Sequence, residues 1–405
     1  MSINILNSES STAIAKQQRR LLNAIGRMNA SDDTKEHLLR INRDLVSQEM
    51  SKFDTVVNPG HLQIDIDGNL LYGNWKVEDP EYIVFKRTNK YDSHLTQALG
   101  IPKQFFDREI GVNPDIMAAF VNEKLDRETK PMLLRTFLGQ DPQSPGVARA
   151  MLSPSYGARE NLDMFTAFTE AIAVSQKEIK IKGSAFTESR VYMEWSYPDL
   201  REDVEHILRA YHLPDHMVKG EKVLYFGGLF RNSETGDGAF SVAPRALFLY
   251  CNNGMVRESD KLRHIHRGDT KPVGFTYSPE TRRLNSMAAA SEMRDMIEAH
   301  TSEKWRRERI DEYIAASQEV VENVIHLPQV VGNELGLNQD EMDRLREYFV
   351  SHKDHTSLGM VNATTLLAQE LDRDKRHDIE SKAFDLMAKI PRLDLQAGRL
   401  RRKQE

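Results

Sequence analysis

The sequence contains little that would allow covalent cross-linking or insertion into a membrane. Cys251 is the only cysteine among the 405 residues, so an intrachain disulfide is impossible and a reducing compartment fits best. No run approaches the roughly 18 apolar residues of a membrane-spanning helix, and the N-terminal residues lack the basic and apolar regions of a signal peptide. We therefore expect a cytoplasmic protein that has no membrane partner.

Sequence motifs of familiar catalytic centres are also missing. The chain has no Gly-x-Ser-x-Gly nucleophile elbow, no His-Glu-x-x-His zinc motif and no glycine-rich dinucleotide fingerprint. The enzyme classes that these motifs identify therefore receive no support. We predict no cofactor and no bound metal, and the sequence favours a binding protein over an enzyme.

Charge of neither sign dominates the whole chain. Its 55 Lys and Arg face 61 Asp and Glu, which gives a net charge of −6. An acidic total counts against binding nucleic acid over the whole surface, although binding follows local patches. The 40% hydrophobic share suits a sizeable core, and a mean hydropathy of −0.56 indicates many polar faces. Because the length exceeds what one core usually supports, we expect more than one domain.

Hydrophobic periodicity divides the chain into three regions. Residues 1–52 are helical in pattern, and Ser31 before two aspartates predicts the start of the second helix. Residues 53–284 carry the strand patterns, with hairpins around Gly68 and within 222–251. Residues 285–405 are almost wholly helical in pattern. The sequence thus predicts an α+β fold: a central, mostly antiparallel twisted sheet with flanking helices, an N-terminal helical arm and a C-terminal helical region.

Three segments carry more specific structural predictions. The N-terminal arm is either an oligomerisation arm or a solvated pair of helices, because helices this polar gain little from propensity alone. Pro244 lacks a backbone N–H and is predicted to mark a sheet edge or a bulge. Apolar spacing predicts one long amphipathic helix over 303–325, which either binds a partner or packs in a C-terminal bundle.

Several short motifs occur in a fixed order within residues 95–390. Arg149 and Ser153 precede Tyr156, then come a segment from Asn232 to Gly236, an Asn-Gly pair and an Asn-Ala-Thr segment. In this order and spacing the chain resembles the phage/plasmid-like family known as domain of unknown function 932. The resemblance implies an accessory protein of phages, plasmids or prophages, acting near replication, recombination or host defence. The motif residues are Arg149, Ser153, Tyr156, Asn232, Ser233, Glu234, Gly236, Asn253, Gly254, Asn362 and Thr364.

The segment 219–283 is locally basic and rich in aromatic residues. It has eleven Lys and Arg against seven Asp and Glu. Cations that follow the phosphates and rings that stack on bases are what single-stranded nucleic acid requires. The alternative is that the rings fill a sheet core and the cations are ordinary surface residues. The predicted nucleic-acid-binding residues are Tyr225, Phe230, Arg231, Arg245, Arg257, Lys261, Arg263, His264 and Arg267.

Two smaller groups of residues could carry chemistry. The glycine-rich turn 232–238 offers backbone amides and the hydroxyls of Ser233 and Thr235 to a phosphate, but it lacks a Walker lysine, and a plain hairpin turn is the alternative. Cys251, His264 and His266 could bind zinc, but no compact fourth ligand is visible. Surface or phosphate-contacting histidines are the alternative there.

These patterns leave three functions open. The first is a phage- or plasmid-type accessory protein that binds single-stranded DNA during annealing, recombination or replication, as a homo-oligomer. The second is a protein-interaction or counter-defence factor that acts on a host protein. The third is a metal- or nucleotide-dependent enzyme built on the 232–238 turn and the His264 and His266 pair.

Overall fold

The computed structural model describes residues 7–404 except for 75–76, 78–80, 142, 158, 188, 204–222, 249–252, 257–260, 265–277 and 353. In these residues the chain forms thirteen α helices and twelve strands, and the strands belong to two sheets. The predicted α+β class is confirmed. The strands that the sequence assigned to one central sheet are divided between the two.

Two helices begin the chain and pack onto the second sheet. They are α1 (Asn7–Arg27) and α2 (Asp32–Ser51). Ser31 caps α2 as predicted, because its side chain accepts a hydrogen bond from the backbone N–H of Thr34. Leu21 of α1 and Ile41 of α2 are buried in the same core as Trp195 and Phe230. The N-terminal helices are therefore part of a core, where the sequence predicted a polar arm.

The first sheet has the strand order β1-β5-β6-β4-β3-β2 and is antiparallel except for the β4–β6 pair. Helices α3 to α5 cover one of its faces, with Tyr91, Leu95 and Val121 packed against Phe85 and Leu134. The predicted hairpin around Gly68 joins β2 to β3. The elements are β1 (Lys52–Val57), β2 (Leu62–Ile64), β3 (Leu70–Gly73), β4 (Tyr82–Arg87), α3 (Asn89–Ala98), α4 (Lys103–Val112), α5 (Pro114–Arg127), β5 (Met132–Phe137) and β6 (Gly146–Leu152), with a short 3-10 helix at Pro59–His61.

The second sheet has the order β11-β10-β9-β8-β7, and β12 also pairs with β10. Its core lies under Phe168, whose ring centroid is 4.7 Å from that of Trp195 and 5.6 Å from that of Phe230. Pro244 is on a central strand rather than at a simple edge. It lies where β10 has no partner on one side, between its pairings with β12 and β11. The elements are α6 (Asn161–Ser175), β7 (Lys180–Phe186), β8 (Val191–Asp203), β9 (Val223–Asn232), β10 (Phe240–Phe248), β11 (Asn253–Val256) and β12 (Leu262–His264).

The C-terminal region is helical, as predicted. Its long helix ends at Gln318 rather than at residue 325, because Val320 is extended and bridges to Thr356. None of the helices in the described ranges has both the length and the hydropathy that a membrane-spanning segment requires. The elements are α7 (Pro279–Thr301), α8 (Glu303–Gln318), α9 (Leu327–Leu335), α10 (Gln339–Ser351), α11 (Ser357–Ala368), α12 (Arg373–Met387) and α13 (Ile390–Gln404).

Candidate functional site

The first residues of the turn after β9, Ser233 to Thr235, are buried at a contact between the two sheets. Asn232 donates two side-chain hydrogen bonds of 2.8 Å, to the carbonyl of Arg159 and to Oδ1 of Asn161. Ser233 Oγ accepts from the backbone N–H of Asp237 at 3.0 Å, which closes the turn. Gly236 follows with φ of +76°, a conformation that favours glycine. The turn is thus fixed by its own side chains, and it is not an open phosphate cradle.

Glu234 is the centre of a charge network at this contact. Its side chain is 2% exposed, and its carboxylate accepts hydrogen bonds from Lys52 Nζ and Arg149 Nη1, both at 2.8 Å. The backbone N–H of Asn161, at the start of α6, donates to it at 2.6 Å. Burial alone would raise its pKa, but the surrounding Lys52, Arg149 and Arg135 outweigh that effect and lower it. Glu234 is therefore ionised in the folded protein.

Arg135 completes the network from β5. Its guanidinium is 1% exposed and makes ion pairs with Asp54 at 2.7 Å and Glu160 at 2.8 Å. It also donates to the carbonyl of Glu234 at 2.8 Å. Burial opposes its charge, yet the carboxylates of Glu160 and Asp54 hold its pKa well above the usual value. Each cation of the network has a carboxylate partner, and Arg135 and Arg149 of the first sheet bind Glu234, which follows the second sheet's strand β9. The network therefore links the two sheets.

The same network contains a group of three carboxylates with metal-ligand spacing. Glu49, Glu160 and Glu234 approach one another closely enough to share an ion. The ammonium of Lys52 contacts all three, and they hold its pKa above the usual value although burial opposes its charge. A divalent ion would have to displace this lysine, so the lysine already supplies the positive charge.

Most residues of the motif that suggested a family meet at this contact. Arg149 binds Glu234, and Tyr156 lies beside Gly236, where a Cβ would be 4.0 Å from its ring. Burial, the largest influence, raises the pKa of Tyr156. Ser153 is close by in the chain, and its hydroxyl is 2.9 Å from that of Ser155. Asn253 and Gly254 of β11 and Asn362 and Thr364 of α11 lie elsewhere, and Thr364 only donates to the carbonyl of Met360 within its helix.

The predicted nucleic-acid-binding residues are distributed between a covered sheet face and the core. Arg231 and Arg245 share one face of the second sheet, and helix α12 lies over it. Arg245 is 4% exposed and is bonded to Glu194 and to Glu380. Phe230 is fully buried. The prediction that Arg245 and Phe230 contact single-stranded nucleic acid is corrected, because both side chains are buried.

The remaining predicted residues have varied positions. Arg231 is mostly buried, which lowers its pKa, and its Nη1 is 3.6 Å from Asp378. Lys261 is half-buried before β12. Arg263 and His264 belong to β12, where Ser241 and Phe240 are their partners on β10. Arg257, Arg267, Cys251 and His266 lie outside the residues that the structure describes.

An exposed cationic patch occurs at the other edge of this sheet. The sequence analysis had named its aromatic residue, Tyr225, but had missed its three cations. Lys180 and Lys182 are exposed on the edge strand β7, and Lys182 Nζ lies 5.3 Å from the ring centroid of half-buried Tyr225. Arg201 is exposed and is the ladder partner of Tyr225. We name Lys180, Lys182, Arg201 and Tyr225 the edge patch. The alternating Lys-Ile-Lys pattern of β7 was the available sequence signal.

Positive charge accumulates in the edge patch. Partial burial, followed by the nearby Lys180 and Arg245, lowers the pKa of Lys182. Among the described residues no carboxylate forms an ion pair with Lys180, Lys182 or Arg201. An anion placed here would relieve the mutual repulsion of these cations.

No protein-family model matches the chain, and comparisons with curated proteins and with solved structures find no similar protein. The resemblance to domain of unknown function 932 accordingly stays a prediction.

Proposed function

We propose that the protein binds single-stranded nucleic acid, with single-stranded DNA as its main ligand, through the edge patch. The observation that carries the proposal is the exposed ammonium of Lys182 over the Tyr225 ring, with Lys180 and Arg201 nearby. The proposal includes a role in annealing, recombination or replication. It also includes the homo-oligomeric state and the cytoplasmic location that the sequence predicts.

The chemistry of the patch suits one strand better than a duplex. Phosphates are attracted by the three cations, and an aromatic ring offers a surface on which any unpaired base can stack. Partial burial lowers the pKa of Lys182, and repulsion by Lys180 and Arg245 adds to this effect. A phosphate at this position would offset that repulsion. A duplex has its bases already stacked, so it would gain only the phosphate contacts.

The magnitude of the salt effect follows from the number of cations. Three phosphate contacts on a single strand correspond to a slope of about −2 in a plot of log K against log salt concentration. Stacking of one base contributes about 1–3 kcal/mol and depends little on salt. Binding should therefore be moderate, salt-dependent and tighter for a single strand than for a duplex.

The test is a fluorescence-anisotropy titration with oligothymidine and with a duplex at several salt concentrations. Lys182→Ala should weaken single-strand binding several-fold and flatten the salt slope by about 0.7. Lys124→Ala is the matched control, because Lys124 also lies 5.3 Å from an aromatic centroid, that of Phe120, but outside the edge patch. Tyr225→Leu should weaken binding while leaving the salt slope unchanged.

Three outcomes would contradict the proposal. The first is the absence of binding at low salt, and the second is binding that does not respond to salt. The third is an equal loss in the Lys182→Ala and Lys124→Ala variants, which would mean that the edge patch has no special part.

A protein-interaction role is the second candidate, and one surface favours it. The α4–α5 pair exposes Val112 at 69%, Ile116 at 66% and Phe120 at 41%. Large apolar side chains grouped on a surface are typical of protein-binding sites. A complex with a host protein that persists after nuclease treatment would support this function, and its loss on nuclease treatment would favour nucleic acid.

A further inference from the structure

Three potential metal ligands converge between the second sheet and helix α12. Glu194 comes from β8, whereas His377 and Glu380 are three residues apart on one face of α12. His377 Nδ1 lies 3.7 Å from Glu194 Oε1 and 3.6 Å from Glu380 Oε2. All three ligand atoms can be reached by one ion.

Among the residues that the structure describes, His377 Nδ1 has no hydrogen-bond partner. His377 is 4% exposed, and its ring is stacked on that of Tyr192 with centroids 4.0 Å apart. Its Nδ1 is buried and makes no hydrogen bond, because both carboxylate oxygens are too distant. Two ligands of a tetrahedral ion, each at about 2.1 Å from it, are about 3.4 Å apart. The observed separations are close to that spacing.

The two carboxylates are oriented by outer partners. Glu380 Oε1 accepts from Gln369 at 2.7 Å and from Arg376 Nε at 3.0 Å, so Oε2 faces His377. Arg245 bonds to Glu194 Oε2 and, at 3.4 Å, to Glu380 Oε2, which leaves Glu194 Oε1 facing His377. Partners of this kind orient the ligands in many metal sites.

The charge on these groups decides whether an ion is tolerated. Glu380 forms ion pairs with Arg245 at 3.4 Å and with Arg376 at 3.0 Å, and Glu194 forms one with Arg245. Arg245 and Arg376 balance the two carboxylates, which reduces the attraction for a cation. The side chain of Glu194 is 15% exposed, so solvent reaches one side and a water can complete the coordination.

We propose that Glu194, His377 and Glu380 form a binding site for one first-row divalent metal ion. An imidazole with two carboxylates suits Zn²⁺, Co²⁺ or Mn²⁺, and the Irving–Williams order places Mn²⁺ below Co²⁺ in affinity. The ion binds Nδ1, so the ring proton is on Nε2. Because the two arginines already neutralise the carboxylates, the affinity is lower than that of a site whose carboxylates have no cationic partner.

The test uses the full chain after treatment with EDTA and dialysis. Calorimetric titration with ZnCl₂ should give one site per chain. His377→Gln should weaken the affinity at least tenfold, because even the loss of an outer-shell partner costs about 10- to 100-fold in metal affinity. The control is His61→Gln, which changes an exposed histidine outside the site and should leave the affinity unchanged. Circular dichroism establishes whether each variant is folded.

A spectroscopic measurement on the unaltered chain covers the case in which His377→Gln does not fold. One equivalent of CoCl₂ should produce visible d–d bands of nitrogen- and oxygen-bound Co²⁺, and ZnCl₂ should remove them. The proposal is overturned if no bands appear and no Zn²⁺ binds. It is also overturned if a folded His377→Gln variant binds Zn²⁺ as tightly as the unaltered chain, or if His61→Gln loses as much affinity.

Discussion

Replacing Glu234 with glutamine tests whether the charge network holds the two sheets together. The substitution keeps the shape of the side chain and one oxygen acceptor. In the folded protein Oε1 accepts from Lys52 and from the N–H of Asn161, and Oε2 accepts from Arg149. Whichever way the amide is turned, its NH₂ group faces a cationic donor.

The expected loss of unfolding free energy depends on which charged group loses its carboxylate partner. If the amide oxygen takes the position of Oε1, Arg149 loses its close carboxylate and retains only Asp54, at 3.7 Å. Removing one member of a buried ion pair costs about 3–5 kcal/mol, because the other charge stays buried. We expect Glu234→Gln to lower the free energy of unfolding by an amount in this range.

The measurement is urea denaturation followed by circular dichroism. Glu123→Gln is the matched control, because it makes the same chemical change in an ion pair at the surface. The Glu123 side chain is 61% exposed and that of its partner Arg127 is 77% exposed. Such a surface pair contributes about 0–1 kcal/mol. If Glu234→Gln lost no more stability than Glu123→Gln, the charge network would not hold the two sheets together as the geometry indicates.

Two further predictions concern the turn and the acid response. Gly236→Ala should lower the free energy of unfolding more than Gly100→Ala does. Both glycines have positive φ, but a Cβ at Gly236 would lie 3.0 Å from Leu152 Cδ2, whereas a Cβ at Gly100 would meet no atom within 4 Å. Equal losses in urea denaturation would contradict this prediction. In the folded protein burial would raise the pKa of Glu380, but Arg245, His377 and Arg376 outweigh that effect and lower the pKa to about 2. The free energy of unfolding should therefore fall as the pH drops from about 4.5 towards about 2, because the unfolded chain takes up the Glu380 proton first. Glu380→Gln should flatten this part of the stability curve, and an unchanged slope would count against the lowered pKa.

Local structure could be predicted where neighbouring residues determine it. The start of α10 is determined locally, because Asn338 and Glu341 form a capping box there. The long helix predicted over 303–325 failed for the opposite reason. Val321 and Val324 continue the apolar spacing, but they pack in the core of the C-terminal helices after the chain has become extended at Val320.

The division of strands between two sheets could not be predicted, because pairing depends on distant segments. Strand β1 pairs with β5, whose residues are about eighty positions later in the chain, as in the pair of Lys52 with Phe137. The burial of the turn at Glu234 was equally hidden. A turn rich in glycine and polar residues usually lies at the surface, and here its partners come from the first sheet.

The basic segment shows why a local count of charges is the wrong quantity for locating a binding surface. The carboxylates that neutralise Arg245 are Glu194, 51 positions away, and Glu380, 135 positions away. What attracts a phosphate is the set of cations that folding leaves without a carboxylate. In the part of the chain that the structure describes, that set includes Lys180 and Lys182, which precede the segment whose excess charge suggested the function. Among the described residues the edge patch offers such cations, whereas Arg245 is already neutralised, so substitutions of Lys180 and Lys182 test the single-strand proposal more directly than a substitution of Arg245.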